Sequence, residues 1–319
     1  LANVGLFLLL ALGLNIVVGL AGLLDLGYVA FFAVGGYTTS VLTSSNSPFF
    51  APEWHFGIAL LFVVVMAAVA GLVIGAPVIR MRGDYLAIVT LGFGEIVRLL
   101  FLSDWLKPYF GGSQGITKVN PVELGPFKVQ GSDPRSVFYL VLVFCVLAIY
   151  VSWRLQGSRL GRAWMATRED EQVAEAMGIN TVNAKLMAFV VGATMAAFSG
   201  AVLAAKVGSV FPKSFEILVS IIILVVVIVG GMGNIAGVMV GSLVLIGILG
   251  GPRQPGLLQE FQSYKLLIYG ALLVFMMLKR PEGLVPSARR SRELHQDEYL
   301  QDAWLGDDAE SEEAQGAPS

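Results

Sequence analysis

Charged side chains are scarce in this chain, since only 14% of its 319 residues are Asp, Glu, Lys or Arg. Soluble domains carry about 25% charged residues, whereas hydrophobic residues make up 56% of this sequence. A water-soluble enzyme of this length is therefore excluded, because too few polar side chains are present to cover its surface.

Residues that react covalently or bind metals are equally few. The single cysteine, Cys145, excludes a disulfide within the chain, and its apolar neighbours predict a buried thiol. His55 and His295 are isolated in the sequence, so no metal site is predicted. No G-x-x-x-x-G-K-[ST] phosphate-binding loop occurs, and residues 231–236 match a dinucleotide fingerprint only formally, without a βαβ unit. The sequence therefore predicts no enzyme and no cofactor, and this chain cannot hydrolyse ATP through a loop of this type.

Long apolar stretches dominate what is present, and they predict membrane helices. They lie at 1–24, 26–42, 57–79, 85–102, 137–153, 186–205, 217–229, 235–250 and 266–278. The expected fold is an all-α polytopic membrane protein with about nine membrane segments, some of them broken. Because the sequence begins with Leu1 rather than Met, one more segment is expected upstream in the native protein.

Two breaks interrupt this apolar pattern. Asp25 and Gly27 follow the first run, and GGMGN at 230–234 follows a run of only thirteen residues. Either the helices are broken within the membrane and line a transport path, or the breaks are ordinary surface turns. Asp25 could equally cap a helix at the inner surface. The path candidates at the two breaks are Asn15, Asp25, Gly230, Gly231, Gly233 and Asn234.

Glu95 and Arg98 form a charged pair within an apolar stretch, three residues apart and hence on one helix face. Counted from Tyr85, Glu95 lies ~15 Å into the membrane at 1.5 Å per residue. Charges at such depth are costly and usually face the bundle interior with a partner. The pair is either part of a gate or substrate path, or a structural ion pair.

Lys and Arg residues set the expected orientation. Loops 80–83, 154–185 and 279–292 hold twelve of them, whereas 43–56, 103–136, 206–217 and 251–265 hold eight over a greater length. The positive-inside rule places the first set, and with it the C-terminus, in the cytoplasm. Residues 293–319 contain nine acids and no Lys or Arg, which predicts a disordered cytoplasmic tail after a transmembrane domain at 1–292.

The predicted cytoplasmic loop 154–185 is longer than a simple connection needs to be. Its residues 161–180 predict one polar helix that ends at a glycine C-cap, Gly178. Its partial apolar face would consist of Ala163, Trp164, Val173, Ala176 and Met177. This pattern favours a docking helix for a cytoplasmic partner over a helix lying on the membrane. The opposite loop, 103–136, is either a docking surface for a soluble binding protein or an unspecialised connection.

Six motifs, in this order, carry a family resemblance. They are GLNIVVGLAGLLDLGY at 13–28, RGDYLAIVTLGFGEIVR at 82–98, GGSQGI at 111–116, EAMG at 175–178, GGMGN at 230–234 and RPEGL at 280–284. Together they resemble LivM-type permease subunits of branched-chain amino-acid ABC importers over about residues 1–292. The chain departs from the family at FPKSF, 211–215, where SPESF is usual, and its acidic tail is unmatched.

The resemblance implies a bacterial inner-membrane permease that translocates branched-chain or other hydrophobic amino acids. Its implied partners are a second, LivH-like permease, two cytoplasmic ATPases that bind the ATP, and an extracytoplasmic binding protein, with no nucleic acid. The EAMG motif is similar to the coupling loop of ABC importers. The residues implied to couple to the ATPases are Arg168, Glu169, Asp170, Glu175, Ala176, Gly178 and Asn180. The alternatives are a permease for urea or short amides and an ion-coupled secondary transporter.

Overall fold

The computed structural model describes residues 1–48, 51–79, 81, 83–124, 127–129, 133–251, 256, 263–280 and 282–285. The predicted acidic tail, 293–319, lies outside the described residues, as do Arg80 and Arg82 of the predicted cytoplasmic loops.

Twelve α-helices account for most of the described chain. They are α1 (Ala2–Leu14), α2 (Val29–Thr43), α3 (Phe56–Val78), α4 (Asp84–Leu102), α5 (Lys107–Phe110), α6 (Pro134–Gln156), α7 (Arg159–Glu169), α8 (Glu171–Ala176), α9 (Thr181–Val207), α10 (Ile217–Gly230), α11 (Ile235–Val244) and α12 (Lys265–Lys279). Single π-helical segments extend two of them, Asn15–Leu20 after α1 and Leu245–Leu249 after α11. Short 3₁₀ turns lie at Gly112–Gln114 and Pro212–Phe215.

Six helical segments of the described chain are long and apolar enough to cross a membrane. They are Ala2–Leu20, Phe56–Val78, Tyr85–Leu102, Pro134–Gln156, Thr181–Val207 and Pro212–Gly230. Each of the nine predicted segments coincides with a helix, but Val29–Thr43 and Ile235–Leu249 are shorter. The structure is therefore consistent with an all-α polytopic membrane protein, and the count of nine segments is not confirmed.

The centre of the bundle is α9, which packs against α1, α2 and α3. Small residues of α9 permit close approach, because a Cβ on Gly200 would lie 2.2 Å from the Phe32 carbonyl oxygen. Helices α3, α6 and α12 lie at the periphery and expose apolar side chains such as Leu61, Leu147 and Leu278. Such outward apolar faces are those expected of helices in contact with lipid.

The two ends of the bundle differ in structure. At one end, β1 (Ile116–Thr117) pairs antiparallel with β4 (Ser209–Val210), and β2 (Val122–Leu124) pairs with β3 (Phe127–Val129). Helix α9 begins beside α8 and ends beside β4, so its 27 residues separate the two ends by ~40 Å. We call them the α7–α8 end and the strand end.

Candidate functional site

The first break lies inside the bundle. After the π-helix the chain is non-helical until Tyr28, whose hydroxyl donates a 2.9 Å hydrogen bond to the carbonyl of Gly192, near the middle of α9. The backbone of Gly27 lies against Thr90 and Gly94 of α4. The chain therefore turns back into the bundle before α2 begins, so this break is not a surface turn.

Asp25 occupies this buried turn and is only 2% exposed. One carboxylate oxygen, Oδ1, accepts a 2.9 Å hydrogen bond from the Gly27 backbone N–H. The other, Oδ2, has no hydrogen-bond partner among the described residues. The N-cap of α2 is Tyr28, without a side-chain cap, so Asp25 does not cap a helix at the inner surface. Packing of Gly27 and Tyr28 on distant helices holds it in the interior instead.

The second break is a tight turn between α10 and α11 at the α7–α8 end. Asn234 caps α11, its Oδ1 accepting a 3.0 Å hydrogen bond from the Ala236 N–H. The Gly233 N–H donates to Oδ1 of Asn15 at 2.8 Å, and the Gln156 side-chain amide donates to the Gly233 carbonyl at 3.2 Å. The fold thus brings Asn15 to Gly233, two path candidates that lie far apart in the sequence.

Gly230 and Gly231 lie at the end of α10, where the chain turns toward α11. The backbone N–H of Leu284 donates to the Val229 carbonyl at 2.7 Å, and that of Val285 donates to the Gly230 carbonyl at 3.1 Å. A Cβ on Gly231 would lie 2.5 Å from the Val285 carbonyl oxygen. These glycines therefore allow the segment after α12 to run directly beneath the turn.

Arg168, on the last turn of α7, connects both breaks. Its Nη1 donates to the carbonyl of Gly19 in the π-helix, and its aliphatic stem lies 2.7 Å from the position that a Cβ on Gly22 would occupy. Gly22 has φ +70°, and Nη1 lies 3.8 Å from the corresponding Cβ position on Gly233. Arg168 therefore points into the helical bundle rather than outward.

Residues 161–180 form two helices rather than the single helix predicted. Asp170 adopts an extended backbone between α7 and α8, and its Oδ1 accepts hydrogen bonds from the N–H groups of Gln172 at 2.8 Å and Val173 at 3.0 Å. This N-cap starts a new helix and ends the old one. Helix α8 then ends at Gly178, which is left-handed with φ +84° as a glycine C-cap requires.

Three side-chain contacts fix α7 and α8 to α9. Trp164 is fully buried, and its Nε1 donates a 2.7 Å hydrogen bond to the Ala184 carbonyl. Lys185 forms an ion pair with Glu171, and the Thr181 hydroxyl donates to Glu175 at 2.7 Å. The expectation that Trp164 contributes to an exposed apolar face is therefore wrong, because α9 covers it.

Of the apolar face that the sequence predicts, the part that remains exposed lies on α8 and at its C-cap. It consists of Val173, Ala176 and Met177, and the Met177 side chain is 79% exposed. Glu169, Asp170, Glu175, Gly178 and Asn180 are also exposed around it. Asn180 in addition caps α9, accepting a 3.0 Å hydrogen bond from the Asn183 N–H. We call Val173, Ala176 and Met177 the α8 face.

Glu95 and Arg98 pair with each other on α4. The Arg98 Nε lies 2.9 Å from Glu95 Oε2, and Glu216 at the start of α10 acts on Arg98 electrostatically. The side chains remain 39% exposed for Glu95 and 22% for Arg98. They lie on a lateral surface of the bundle, between exposed apolar residues such as Ile96, rather than in its interior.

Sequence reasoning did not single out Lys185, Glu171 or Gln156, although all three hold the α7–α8 end together. The spacing of fourteen residues between Glu171 and Lys185 matches no helical pairing rule. Within the described part of the chain, no group of three or more His, Cys, Asp or Glu side chains could hold a metal ion.

Comparisons with known proteins point to one family. The family model described as "Branched-chain amino acid transport system / permease component" matches residues 1–277. The Escherichia coli K12 protein "High-affinity branched-chain amino acid transport system permease protein LivM" is 40% identical over 304 residues, covering 89% of this chain and 68% of that protein.

More distant relatives have similar names. The "Probable branched-chain amino acid transport permease protein LivM" of Methanocaldococcus jannaschii is 26% identical, covering 86% of this chain and 84% of its own length. The LivH permease protein of E. coli K12 is also 26% identical, over 88% of this chain and 91% of its own. No solved structure matches the chain significantly.

Proposed function

Because the chain belongs to the family of permease components of branched-chain amino acid transport systems, we propose that it is the translocating subunit of an ATP-driven importer. Its proposed substrates are branched-chain and other hydrophobic amino acids, delivered by an extracytoplasmic binding protein. The membrane is the bacterial inner membrane. The chain itself binds no ATP and catalyses no reaction, and two partner ATPases hydrolyse the nucleotide.

The observation that carries this proposal is the position of Arg168. It belongs to the α7–α8 pair, yet its guanidinium bonds to Gly19 at the first break and lies beside Gly233 at the second. A partner that moves α7 and α8 therefore moves the inner ends of α1, α10 and α11 with them. Rigid-body displacement of this kind can convert ATP-driven closure into opening of a path.

The α8 face is the proposed contact with an ATPase. Val173, Ala176 and Met177 are exposed although the helix is fixed to α9 on its other side. Apolar side chains on a short, firmly held helix suit a groove of a partner protein. Glu169, Asp170, Glu175, Gly178 and Asn180 surround this face and would form its rim.

The orientation follows from the basic residues near this end. Arg159, Arg162 and Arg168 lie on α7, and the positive-inside rule places such loops in the cytoplasm. The α7–α8 end is therefore assigned to the cytoplasm together with the C-terminus. The strand end, built from parts of loop 103–136, is then extracytoplasmic and is the proposed docking surface for the binding protein.

A second, LivH-like permease is proposed to cover the lateral surface of α4. Glu95 and Arg98 are partly exposed at membrane depth, where contact with lipid costs several kcal/mol. A homologous subunit facing this surface would enclose the pair between the two permeases. Since the E. coli LivH permease is itself similar to this chain, such a pair would be pseudo-symmetric. The substrate path is placed at this contact.

One observation favours a second candidate function, an ion-coupled secondary transporter. The Oδ2 atom of Asp25 is buried without a partner in the described chain, as a site for a transported proton or cation would be. Such a protein has no use for the α7–α8 pair, however, because it needs no ATPase. A permease for urea or short amides would share every feature described here except the substrate.

Uptake into proteoliposomes tests the substrate. The vesicles contain both permeases and both ATPases with ATP in the lumen, and the binding protein and labelled leucine are outside. We expect uptake to be competed by unlabelled isoleucine and valine but not by urea or acetamide. Competition by urea or acetamide alone would contradict the proposed substrate class.

A further inference from the structure

A cavity of about 350 Å³ lies at the α7–α8 end, between α7 and the first break. Its volume falls in the range of small-molecule sites, about 300–1,000 Å³. One wall is apolar and consists of Leu23, Leu24, Met81 and Leu86. The other wall carries charges of both signs, from Arg168, Glu171 and Lys185.

The charged side chains of the second wall are held in place by contacts within the protein. Lys185 is only 7% exposed, and its Nζ lies 2.5 Å from Oε1 of Glu171. Arg168 is fixed on the same side through its bond to Gly19. An α-carboxylate bound here would share Lys185 and Arg168 with their present partners, and an α-ammonium would share Glu171 with Lys185. The two signs together match a zwitterion better than a simple anion or cation.

The apolar wall matches the rest of such a ligand. Leu23 and Leu86 are buried, and Leu24 and Met81 are partly exposed toward the cavity. An aliphatic side chain placed against these four residues would leave water, which is favourable by ~25 cal/mol per Å². Among the described residues of this wall, Leu23, Leu24, Met81 and Leu86 offer no partner to a charged or strongly polar side chain.

We propose that this cavity binds a zwitterionic amino acid with an aliphatic side chain on the side where the product is released, and that its occupancy slows the transport cycle. A bound ligand would bridge Leu23 and Leu24 of the break to Arg168 of α7 and Glu171 of α8. It would thereby stabilise the arrangement of α7, α8 and the break seen in this structure, and so slow its conversion into the next state of the transport cycle. The identity of the ligand rests on the proposed function.

ATP hydrolysis in proteoliposomes tests this site. The complete importer is reconstituted with ATP and either L-leucine or L-glutamate in the lumen, and the substrate-loaded binding protein is outside. Millimolar luminal L-leucine is expected to lower the hydrolysis rate by about fivefold or more, a usual size for coupling between two sites. Luminal L-glutamate is expected to have no effect, because its side chain does not fit the apolar wall.

Two cavity-filling variants locate the effect. Met81→Trp and Leu24→Trp each place an indole in the apolar wall without removing a charge, so hydrolysis should become insensitive to luminal leucine. Ile58→Trp is the matched control, since Ile58 is exposed on α3 and lies outside the cavity lining. It should remain as sensitive as the wild type. Two substitutions at different positions guard against one that fails to fold.

Each alternative result overturns a distinct claim. If uptake of leucine is robust but luminal leucine leaves wild-type hydrolysis unchanged, the site is refuted and the proposed function stands. If both Trp variants are inhibited as strongly as the wild type, the cavity is not the site. If the complete importer takes up no branched-chain amino acid, the proposed function is refuted, and the ligand assignment with it.

Discussion

The side chain of Arg168 links an exposed pair of helices to the buried inner ends of three others. The hydrogen bond to the Gly19 carbonyl requires the guanidinium, whereas the contact with Gly22 involves only the stem. The two contributions can therefore be separated by substitution. In the proposed mechanism, Arg168 is the side chain that transmits movement of the ATPases to the transport path.

Arg168→Met is expected to keep the packing on Gly22 and to lose the hydrogen bond to Gly19. Uptake should fall about tenfold or more while binding-protein-stimulated ATP hydrolysis continues, because α7 would no longer pull the break. The measurement is the ratio of leucine taken up to ATP hydrolysed in proteoliposomes. Arg162→Met is the control, since Arg162 is exposed on the same helix and, within the described part of the chain, donates to the Gly157 carbonyl in the adjacent turn. An unchanged ratio in Arg168→Met would refute the link.

Trp164→Phe tests how firmly α7 is held to α9. The substitution keeps most of the buried ring but loses the 2.7 Å hydrogen bond from Nε1 to the Ala184 carbonyl. We expect a loss of about 0.5–1.5 kcal/mol of stability, measured as a lower Tm of the purified complex. Trp153→Phe, at an exposed position of α6, should leave Tm unchanged. Equal Tm values for both variants would show that the Trp164 bond does not anchor α7.

At the scale of elements, the end of α8 depends on one left-handed residue. Gly178 has φ +84°, and a Cβ there would meet nothing within 4 Å. A side chain at this position is therefore disfavoured by backbone strain of about 1–3 kcal/mol rather than by collision. The strain would disturb α8 just where its apolar face is presented.

Gly178→Val is expected to reduce ATP-dependent uptake strongly, and Gly178→Asn should stay near wild type. Asparagine tolerates the left-handed region. Its Cβ would also meet no neighbouring atom within 4 Å. The measurement is initial uptake at equal amounts of assembled complex. Wild-type uptake by Gly178→Val would contradict a role of the α8 end in coupling.

The sequence predicted the positions of the helices better than their relations to one another. Each of the predicted apolar runs coincides with a helix of the structure, and the glycine at 178 correctly predicted the end of a helix. The split at Asp170 was missed because a capping aspartate within a polar stretch also fits a continuous helix. Trp164 was misassigned because the buried side of an amphipathic helix depends on a neighbour, α9, that spacing alone does not identify.

The burial of the first break could not be predicted from the sequence either. Asp25 and Gly27 marked a break, but its burial depends on the contacts of Gly27 with Thr90 and of Tyr28 with Gly192. These contacts join residues more than sixty positions apart, beyond any local pattern. The contact of Asn15 with Gly233, 218 positions apart, was unpredictable for the same reason. Glu171 and Lys185 are closer in sequence, but they lie on two different helices whose packing no local pattern predicts.

At the scale of the whole molecule, the lateral surface of α4 is the proposed contact with a second permease. The double substitution Glu95→Arg with Arg98→Glu keeps an ion pair within the helix but reverses its direction. If the pair faces a partner permease and the substrate path, uptake should fall about tenfold or more in complexes that still assemble. Uptake and assembly are measured together by transport and size-exclusion chromatography. Wild-type uptake by the reversed pair would show that its role is structural only.

The energy source is the central claim, and one measurement tests it most directly. Labelled leucine uptake is recorded in proteoliposomes with and without the ATPase subunits, with ATP or a non-hydrolysable analogue in the lumen, and with ionophores that collapse proton and sodium gradients. We predict uptake only when ATPases and hydrolysable ATP are present, and no loss with the ionophores. Uptake without ATPases that follows a proton or sodium gradient would contradict the account.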